Sequence, residues 1–293
     1  MRSGLARARE LALGKAEVLV EALPWISRHS GQTVVVKYGG SAMEDAGLMR
    51  QVVGDIALLV LMGIRVVLVH GGGKAINALL GELGREVAFK DGLRVTDDAA
   101  MEAVQMALVG KVNQRLVWEL DHVGARAVGV SGADASTLVA RQADPALGRV
   151  GAVERVDTSL LKSLLDDGYV PVVASVAAGD DGFYNVNADV AAGEVAQALG
   201  ADTLVYLTDV DGFYRVRDDE DSLAVTMGHG EARRILESGT LDAGMIPKMR
   251  SIVDALDAGV GDVRILNGTF PHSILLDIFT DEGIGTMFVR EGD

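Results

Sequence analysis

One repeated unit runs along this chain and leaves few folds open to it. The unit is a helix of apolar periodicity, a glycine, and a short strand that is apolar throughout, as in residues 48–60, Gly63 and 64–69. Glycine just past a helix suits the left-handed conformation of its C-terminal cap. Strands without polar alternation are typical of a parallel sheet covered by helices on both faces. The unit recurs before the predicted strands 125–130, 169–173, 201–208 and 263–266, so we predict an α/β fold.

Two predicted strands end in glycine clusters that carry a lysine. Residues 33–40 read TVVVKYGG and residues 66–74 read VVLVHGGGK. Glycine lets the backbone approach a ligand closely, with several N–H groups free to point at it. A helical pattern over 76–83 places the second cluster at a helix N-terminus, where the dipole also favours anions. These features together indicate an enzyme that handles phosphate.

Neither cluster matches a standard nucleotide fingerprint. A P-loop needs glycine five positions before Gly73 and a Ser or Thr after Lys74, but the chain has Leu68 and Ala75 there. The dinucleotide pattern fails at Ile76, where its third glycine would stand. A glycine cluster alone is also consistent with a simple tight turn.

Three further segments carry candidate polar groups. Asn185, Asn187 and Asp189 alternate just before a predicted helix, so they share one face if the stretch is extended, although Asp189 could instead only cap that helix. Residues 208–212 read TDVDG at the carboxyl end of a predicted strand, where ligands bind in open α/β sheets, although such a sequence can also be an ordinary turn. Lys248 falls in the first turn of another predicted helix, against the helix dipole, which suggests a functional site.

Composition excludes several classes of protein. The net charge of −15 argues against a nucleic-acid-binding surface, which should be basic. The absence of cysteine excludes disulfides, thiolate metal sites and cysteine nucleophiles. No apolar run is long enough to span a bilayer, and no secretion-type apolar region is present at the start, so we predict a cytoplasmic location.

Taken in order, the segments VVVKYGG, VVLVHGGG, DGLRVT, GFYNVNAD, LTDVDG and GMIPK resemble the amino-acid kinase family, over about residues 16–289. Within the family they are most similar to the members that act on N-acetyl-L-glutamate. The resemblance implies an αβα sandwich around a mainly parallel open sheet. It also implies transfer of the γ-phosphoryl group of ATP, used with Mg²⁺, to a side-chain carboxylate in arginine biosynthesis. The implied division is an N-terminal helix (1–30), an acetylglutamate lobe (31–200) and a nucleotide lobe (201–293).

The resemblance also implies residue roles. Lys37 and Lys248 would flank the transferred group, and Asp189 would orient both lysines by charge pairing. The implied substrate-binding residues are Gly39, Gly40, Gly72, Gly73, Arg94, Asn185 and Asn187. The implied nucleotide-binding residues are Thr208, Asp209, Asp211 and Lys248. The phosphates would hold most of the Mg²⁺ coordination, so no metal ligand is predicted on the chain.

Residues 15–26 resemble the extra helix of arginine-inhibited members, in which it links three dimers into a hexamer. The resemblance therefore implies allosteric inhibition by arginine and a homohexamer. The implied arginine site consists of Trp25, His272, Asp277 and Gly285. From the residues alone, the apolar stripe of this helix could equally pack on its own domain.

Two alternatives stay open. A sister kinase could act on another acid, such as aminoadipate on an acidic carrier protein, but binding such a carrier calls for a basic patch on a chain that is strongly acidic. A non-catalytic module that senses arginine or nucleotide is the other, although both lysines and Asp189 are present.

Overall fold

The structure is a computed structural model that describes residues 9, 12–14, 16, 17, 20–90, 92–216, 219–242, 244–280 and 283–290. Its helices are α1 (Leu23–His29), α2 (Ala46–Leu61), α3 (Gly73–Glu82), α4 (Asp98–Gln105), α5 (Gln114–His122), α6 (Ser159–Asp166), α7 (Ala188–Leu199), α8 (His229–Ser238), α9 (Met245–Asp257) and α10 (Ser273–Phe279). A π-helical segment, Met106–Asn113, joins α4 to α5. The predicted units are confirmed, with boundaries shifted by one or two residues.

The strands are β1 (Thr33–Tyr38), β2 (Arg65–His70), β3 (Phe89–Lys90), β4 (Leu93–Arg94), β5 (Ala127–Ser131), β6 (Leu138–Gln142), β7 (Gly151–Val156), β8 (Val170–Ala174), β9 (Val176–Gly179), β10 (Gly182–Asn185), β11 (Thr203–Thr208), β12 (Thr226–Gly228), β13 (Asp262–Asn267) and β14 (Thr286–Val289). Eight of them form the main sheet in the order β12-β14-β13-β11-β1-β2-β8-β5. All its neighbouring pairs are parallel except β13 with β14. The mainly parallel sheet predicted from the apolar strands is confirmed.

The main sheet is covered on both faces. On one face Val35, Val67 and Leu204 pack with apolar residues of α6, α7 and α9. On the other face Val34 and Val66 pack with apolar residues of α2, α5 and α10. Successive residues of a strand point to opposite faces, so strands buried on both sides must be apolar at every position. The result is the expected αβα sandwich.

A smaller sheet interrupts the repeated units, in the order β10-β9-β6-β7. Strands β6 and β7 are antiparallel and flank the Asp144-Pro145 turn. Only Ser175 separates β8 from β9, so the chain passes from the carboxyl edge of the main sheet directly into the smaller sheet. It thereby carries Asn185, the last residue of β10, to that edge.

The N-terminal segment is helical at described positions before a break at Ala22, and Pro24 lies in the first turn of α1. Helix α1 contacts α10 of the same chain, but no α1 residue is buried. Leu13, Val20 and Leu23 are more than half exposed. Leu11, Val18 and Leu19, three apolar residues of the predicted N-terminal helix (1–30), lie outside the described residues. Among the described helices, none has the length and apolar character needed to cross a membrane.

Candidate active site

The carboxyl ends of β1 and β2 lie side by side in the middle of the main sheet. Residue Lys37 of β1 is paired with Val69 of β2 on one side and with Tyr206 of β11 on the other. Each of these strands is followed by a polar or glycine-rich turn. Because parallel strands end at a common edge, the sheet brings turns that are far apart in sequence to one place.

Asp189 joins two lysines that come from opposite parts of the chain. Lys37 Nζ lies 2.9 Å from Asp189 Oδ1, and Lys248 Nζ lies 2.8 Å from Asp189 Oδ2. The three side chains are largely buried, with exposed fractions of 13%, 13% and 9% for Lys37, Asp189 and Lys248. The site therefore holds two ammonium groups against one carboxylate, with a net positive charge of about one.

The protonation states follow from this arrangement. Burial by itself would raise the pKa of Asp189, but the adjacent Lys37 and Lys248 ammonium groups bring it well below its usual value. Burial lowers the pKa of Lys248, and the Asp189 carboxylate opposes that shift while Lys37 adds to it. The Asp189 carboxylate is thus ionised. The protonation state of Lys248 depends on the balance between its burial, the Asp189 carboxylate and the Lys37 ammonium group.

Helix α7 sets the position of Asp189. The sequence suggested either an extended stretch that includes Asp189 or Asp189 as the helix cap, and the structure differs from both. The helix begins at Ala188, so the stretch 185–189 is not extended and its three side chains do not share a strand face. The cap is Asn187, whose Oδ1 accepts hydrogen bonds from the backbone N–H groups of Asp189 (2.8 Å) and Val190 (3.3 Å). Since Asn187 satisfies the helix end, the Asp189 carboxylate is left to the lysines.

The two glycine clusters lie where a side chain would not fit. Gly40 has φ of 78°, and a Cβ there would come 2.5 Å from Asp209 Oδ1. At Gly72 a Cβ would come 2.7 Å from Leu108 of the π-helical segment. Gly73 is the first residue of α3, so backbone N–H groups of the second cluster lie at that helix N-terminus. Gly39 borders the Lys37 ammonium group, 2.8 Å from where its Cβ would be.

Arg94 is a buried cation with spare hydrogen-bonding capacity. It is 7% exposed, its Nη2 donates to the carbonyl oxygen of Gly73 (3.1 Å), and the Phe89 ring lies 4.9 Å from its Cζ. Its Nη1 is buried and has no hydrogen-bond partner among the described residues. A buried guanidinium N–H without a partner is costly, so this geometry suits an anion entering from the cleft.

A cleft of about 240 Å³ collects most of these groups. Its walls include Lys37 and Asp189 but not Lys248. The substrate-binding candidates also line it: Gly39, Gly40, Gly72, Gly73, Arg94, Asn185 and Asn187. Phe89 and Leu93 of the short β3–β4 hairpin also line it. The cleft is therefore lined by two cations, Arg94 and Lys37, and by the backbone of both glycine clusters.

The nucleotide-binding candidates lie beside this cleft rather than in its lining. Asp209 Oδ1 accepts hydrogen bonds from the backbone N–H (2.9 Å) and the hydroxyl (2.8 Å) of Ser41, directly after Gly40. Asp211 accepts from Asn267 Nδ2 (2.7 Å) and from the Tyr214 hydroxyl (2.9 Å). The Thr208 hydroxyl donates to the carbonyl oxygen of Val210 (2.9 Å). Among the described residues, no cluster of three or more Asp, Glu or His side chains is arranged to hold a metal.

Comparison with known proteins decides the family. A sequence model of the amino acid kinase family matches residues 32–267. The chain belongs to the amino acid kinase family. It is 48% identical to the acetylglutamate kinase of Parasynechococcus marenigrum over 95% of this chain and 96% of the relative. It is 47% identical to the acetylglutamate kinase of Caldanaerobacter subterraneus subsp. tengcongensis over 94% of each chain. The predicted enzyme class, a phosphotransferase, is confirmed.

Several solved structures share the fold. An N-acetylglutamate synthase from Neisseria gonorrhoeae, complexed with coenzyme A and N-acetyl-glutamate, superposes with a TM-score of 0.82 at 32% identity over 94% of this chain. This chain spans 63% of the length of that synthase. The same synthase complexed with L-arginine gives a TM-score of 0.75 at 30% identity, over 92% of this chain and 64% of the synthase. Carbamate kinase from Giardia lamblia, at 17% identity, covers 90% of this chain and 100% of its own with a TM-score of 0.67, which shows the fold alone.

In this member of the amino acid kinase family, two residues that hold the candidate site residues in place were not predicted from the sequence. The Thr96 hydroxyl donates to the carbonyl oxygen of Arg94 (2.9 Å) and accepts from Asn185 Nδ2 (3.2 Å), so it links two candidate substrate ligands. His70 is fully buried beneath the second glycine cluster, between the Gly71 carbonyl oxygen (2.9 Å) and Asn113 Nδ2 (3.0 Å). The polar residue at the end of an apolar strand was the available signal for His70.

The remaining candidates have partners within the chain. Lys74 Nζ lies 3.0 Å from Glu44 Oε2, and Lys74 does not line the cleft. His272, which precedes α10, lies 2.6 Å from Asp55 Oδ1, and Asp277 Oδ2 accepts from Arg264 Nη1 (2.6 Å). Trp25 of α1 stacks on His29, whose ring meets Phe279 of α10 edge-on. Three of the four residues of the predicted arginine site thus lie on or next to two helices that pack together, and Gly285 precedes β14.

Proposed function

We propose that this chain transfers the γ-phosphoryl group of ATP to the side-chain carboxylate of N-acetyl-L-glutamate. The observation that carries the proposal is the bridge Lys37–Asp189–Lys248, of which Lys37 and Asp189 line the same cleft as Arg94. Arg94 Nη1 has no hydrogen-bond partner among the described residues. The names of relatives that are 44–48% identical over nearly the whole chain favour the same substrate. A reaction of this kind belongs to arginine biosynthesis.

The proposed reaction requires the protein mainly to align the two substrates and to neutralise negative charge. The attacking carboxylate is already ionised at neutral pH, so the reaction needs no general base. Lys37 and Lys248 would neutralise charge that develops on the oxygens of the transferred group, and backbone N–H groups of Gly40 and Gly72 would donate to it. Asp189 would hold the two ammonium groups at a set separation. Arg94 and Asn185 would hold the substrate carboxylate and acetamido group.

The nucleotide would lie on the lobe formed by residues 201–293, beside Thr208, Asp209 and Asp211, with the acetylglutamate on the lobe formed by residues 31–200. Asp209 connects these two lobes, because its carboxylate accepts a hydrogen bond from the backbone N–H of Ser41, next to Gly40. Mg²⁺ bound to the phosphates would supply charge neutralisation, and the acids within the described part of the chain are not gathered to replace the phosphates as ligands. Use of ATP also favours the proposed cytoplasmic location.

The direct test is an assay of ADP release with ATP, Mg²⁺ and each of four acids: N-acetylglutamate, glutamate, aspartate and aminoadipate. Trapping with hydroxylamine would convert an acylphosphate product to a hydroxamate and so identify the carboxyl acceptor. We expect hydroxamate with N-acetylglutamate only, and none from the variant with both Lys37→Ala and Lys248→Ala. Preference for aminoadipate would favour the sister kinase, and nucleotide binding without turnover would favour a sensing module.

We also propose feedback inhibition by arginine at a site that includes Trp25, His272, Asp277 and Gly285. The packing of α1 against α10 and the synthase structure complexed with L-arginine support it. A guanidinium ligand would have to share the Asp277 carboxylate with Arg264, since the two already lie 2.6 Å apart. Titration of the activity with arginine, with lysine as the control cation, should show loss with arginine alone. No loss at millimolar arginine would contradict the proposal.

We further propose a homohexamer in which the N-terminal helix (1–30) joins dimers. The exposed Leu13, Val20 and Leu23 support a further contact beyond α10. Light scattering after size-exclusion chromatography should give a mass of about six chains for the full protein. A variant that lacks the residues before Ala22 should give dimers. An unchanged mass in that variant would contradict the role of the helix.

A further inference from the structure

Tyr206 lies beneath the proposed phosphoryl-transfer site, and no motif in the sequence points to it. It is fully buried in β11, directly across from Lys37 in the parallel pairing of β1 with β11. The Lys248 ammonium nitrogen lies 4.7 Å from the centroid of its ring. An ammonium group within about 6 Å of an aromatic ring face is attracted by the ring quadrupole, and more strongly when the pair is desolvated.

The hydroxyl of Tyr206 contacts the element that carries Asp189. It lies 3.2 Å from the main-chain carbonyl oxygen of Asp189 and 2.7 Å from the Ser251 hydroxyl, which lies 3.2 Å from the same carbonyl oxygen. Ser251 is one turn after Lys248 on α9. Tyr206 therefore touches both the helix that carries Asp189 and the helix that carries Lys248.

A glycine makes this contact possible. A Cβ at Gly193 of α7 would overlap the Ser251 hydroxyl and would lie 3.3 Å from the Tyr206 hydroxyl. A glycine inside a helix is less favourable than alanine, so its presence there needs a reason. Its presence on the face of α7 that meets Tyr206 and Ser251 is explained by the close approach of α7 to α9.

From these contacts we propose that Tyr206 is a positioning residue of the site: its ring stabilises the charged form of Lys248, and its hydroxyl fixes the first turn of α7. The inference rests on the proposed phosphoryl transfer. Lys248 is 7% exposed, so water contributes little to stabilising its charge. The charged groups that face it are Asp189 on α7 and Lys37 on β1, while Glu194 on α7 and Asp254 on α9 act on Tyr206. Burial raises the pKa of Tyr206, so its ring stays neutral.

The sharpest test varies the ring's electrons without changing its shape. Phenylalanine and its trifluoro and pentafluoro analogues are placed at position 206, since fluorine withdraws the negative charge from the ring face. We expect the alkaline limb of the kcat profile to move to lower pH along the series, by about 0.5–1 unit in total. The same analogues at Phe288, a buried aromatic in the same core cluster, are the control and should leave the limb in place.

Two further measurements separate the parts of the proposal. Tyr206→Phe, which keeps the ring but removes the hydroxyl, should lower kcat severalfold. Tyr206→Leu, which removes both, should lower kcat at least tenfold, with thermal unfolding recorded to confirm the fold. The pKa of Lys248 can be read without activity from the NMR titration of protein labelled with carbon-13 at the lysine ε-carbon. The Lys248 signal is identified by its loss in Lys248→Met.

The outcomes are distinct. A pKa of Lys248 that falls along the fluorination series supports the ring's role even if N-acetylglutamate proves not to be the substrate. An alkaline limb and a Lys248 pKa that stay constant across the series would overturn it. Equal losses of kcat in Tyr206→Phe and Tyr206→Leu would assign the effect to the hydroxyl and would also overturn the role of the ring.

Discussion

At the scale of single residues, the site depends on a carboxylate shared by two cations. Asp189 neutralises only one of the two positive charges that Lys37 and Lys248 bring. The remaining charge is available to an anion in the cleft, and it is held in a place where solvent screening is weak. Arg94 stands apart from this cluster and has its own unfilled hydrogen-bonding position. Removal of a lysine of the cluster and removal of Arg94 should therefore change different kinetic constants.

The first prediction separates those failures. Lys248→Ala should lower kcat by about two orders of magnitude or more, because it removes a preorganised cation from the developing charge. Arg94→Ala should mainly raise KM for N-acetylglutamate, since it removes a contact made equally before and during the reaction. Steady-state kinetics with both substrates would measure the split. Small and equal effects on kcat in both variants, about tenfold or less, would count against these roles.

At the scale of secondary structure, the starts of two helices position groups of the proposed site. Helix α3 begins at Gly73 and offers backbone N–H groups to the cleft, and α7 begins just before Asp189. The Asn187 cap holds the first turn of α7, and therefore the direction of the Asp189 side chain. Helix α2 has a similar cap, Asp45, whose Oδ1 accepts from the backbone N–H groups of Gly47 and Leu48.

The second prediction uses this matched pair of caps. Asn187→Ala and Asp45→Ala should each lower the free energy of unfolding by about 1 kcal/mol. Only Asn187→Ala should also lower kcat, on the order of tenfold, since only that cap positions a charged group of the site. Urea unfolding and initial rates on the same preparations would measure both. A loss of kcat in Asp45→Ala as large as that in Asn187→Ala would show that stability alone controls the activity.

At the scale of the whole molecule, two buried titratable groups should shape how stability depends on pH. Burial lowers the pKa of His70 to about 4, with the hydrogen bond to the Gly71 carbonyl opposing the shift. Burial raises the pKa of Asp55 to about 6, against the hydrogen bond from His272. Between pH 6.5 and 4 the unfolded state binds the His70 proton more, so this group makes the free energy of unfolding decrease as the pH is lowered. Between pH 6 and 4 the folded state binds the Asp55 proton more, so that term has the opposite sign.

The third prediction follows from these opposing signs. Wild-type protein should show a partly cancelled dependence on pH, whereas Asp55→Asn leaves the His70 term uncompensated. Between pH 6.5 and 4.5 the free energy of unfolding of Asp55→Asn should fall by about 2 kcal/mol more than that of the wild type. Urea unfolding at pH 4.5, 5.5, 6.5 and 7.5 would test it. Parallel curves for the two proteins would show that Asp55 does not carry a raised pKa.

Local sequence patterns were sufficient to predict those features that depend on residues close together in the chain. Apolar periodicity and cap glycines located the units of the sandwich. The same kind of information picked out Lys37 and Lys248, because a lysine beside glycines or in the first turn of a helix is chemically unusual wherever the chain goes.

The function of Asp189 was ambiguous in the sequence, since a carboxylate at the start of a helix can be a cap. Only the tertiary structure assigned the cap to Asn187 and the carboxylate to two lysines, one 152 positions before it and the other 59 positions after it. Tyr206, Thr96 and His70 likewise act through partners from other elements. The reason is physical: hydrophobic periodicity and capping are local effects, whereas burial and the pairing of charges depend on which strand ends the sheet brings together.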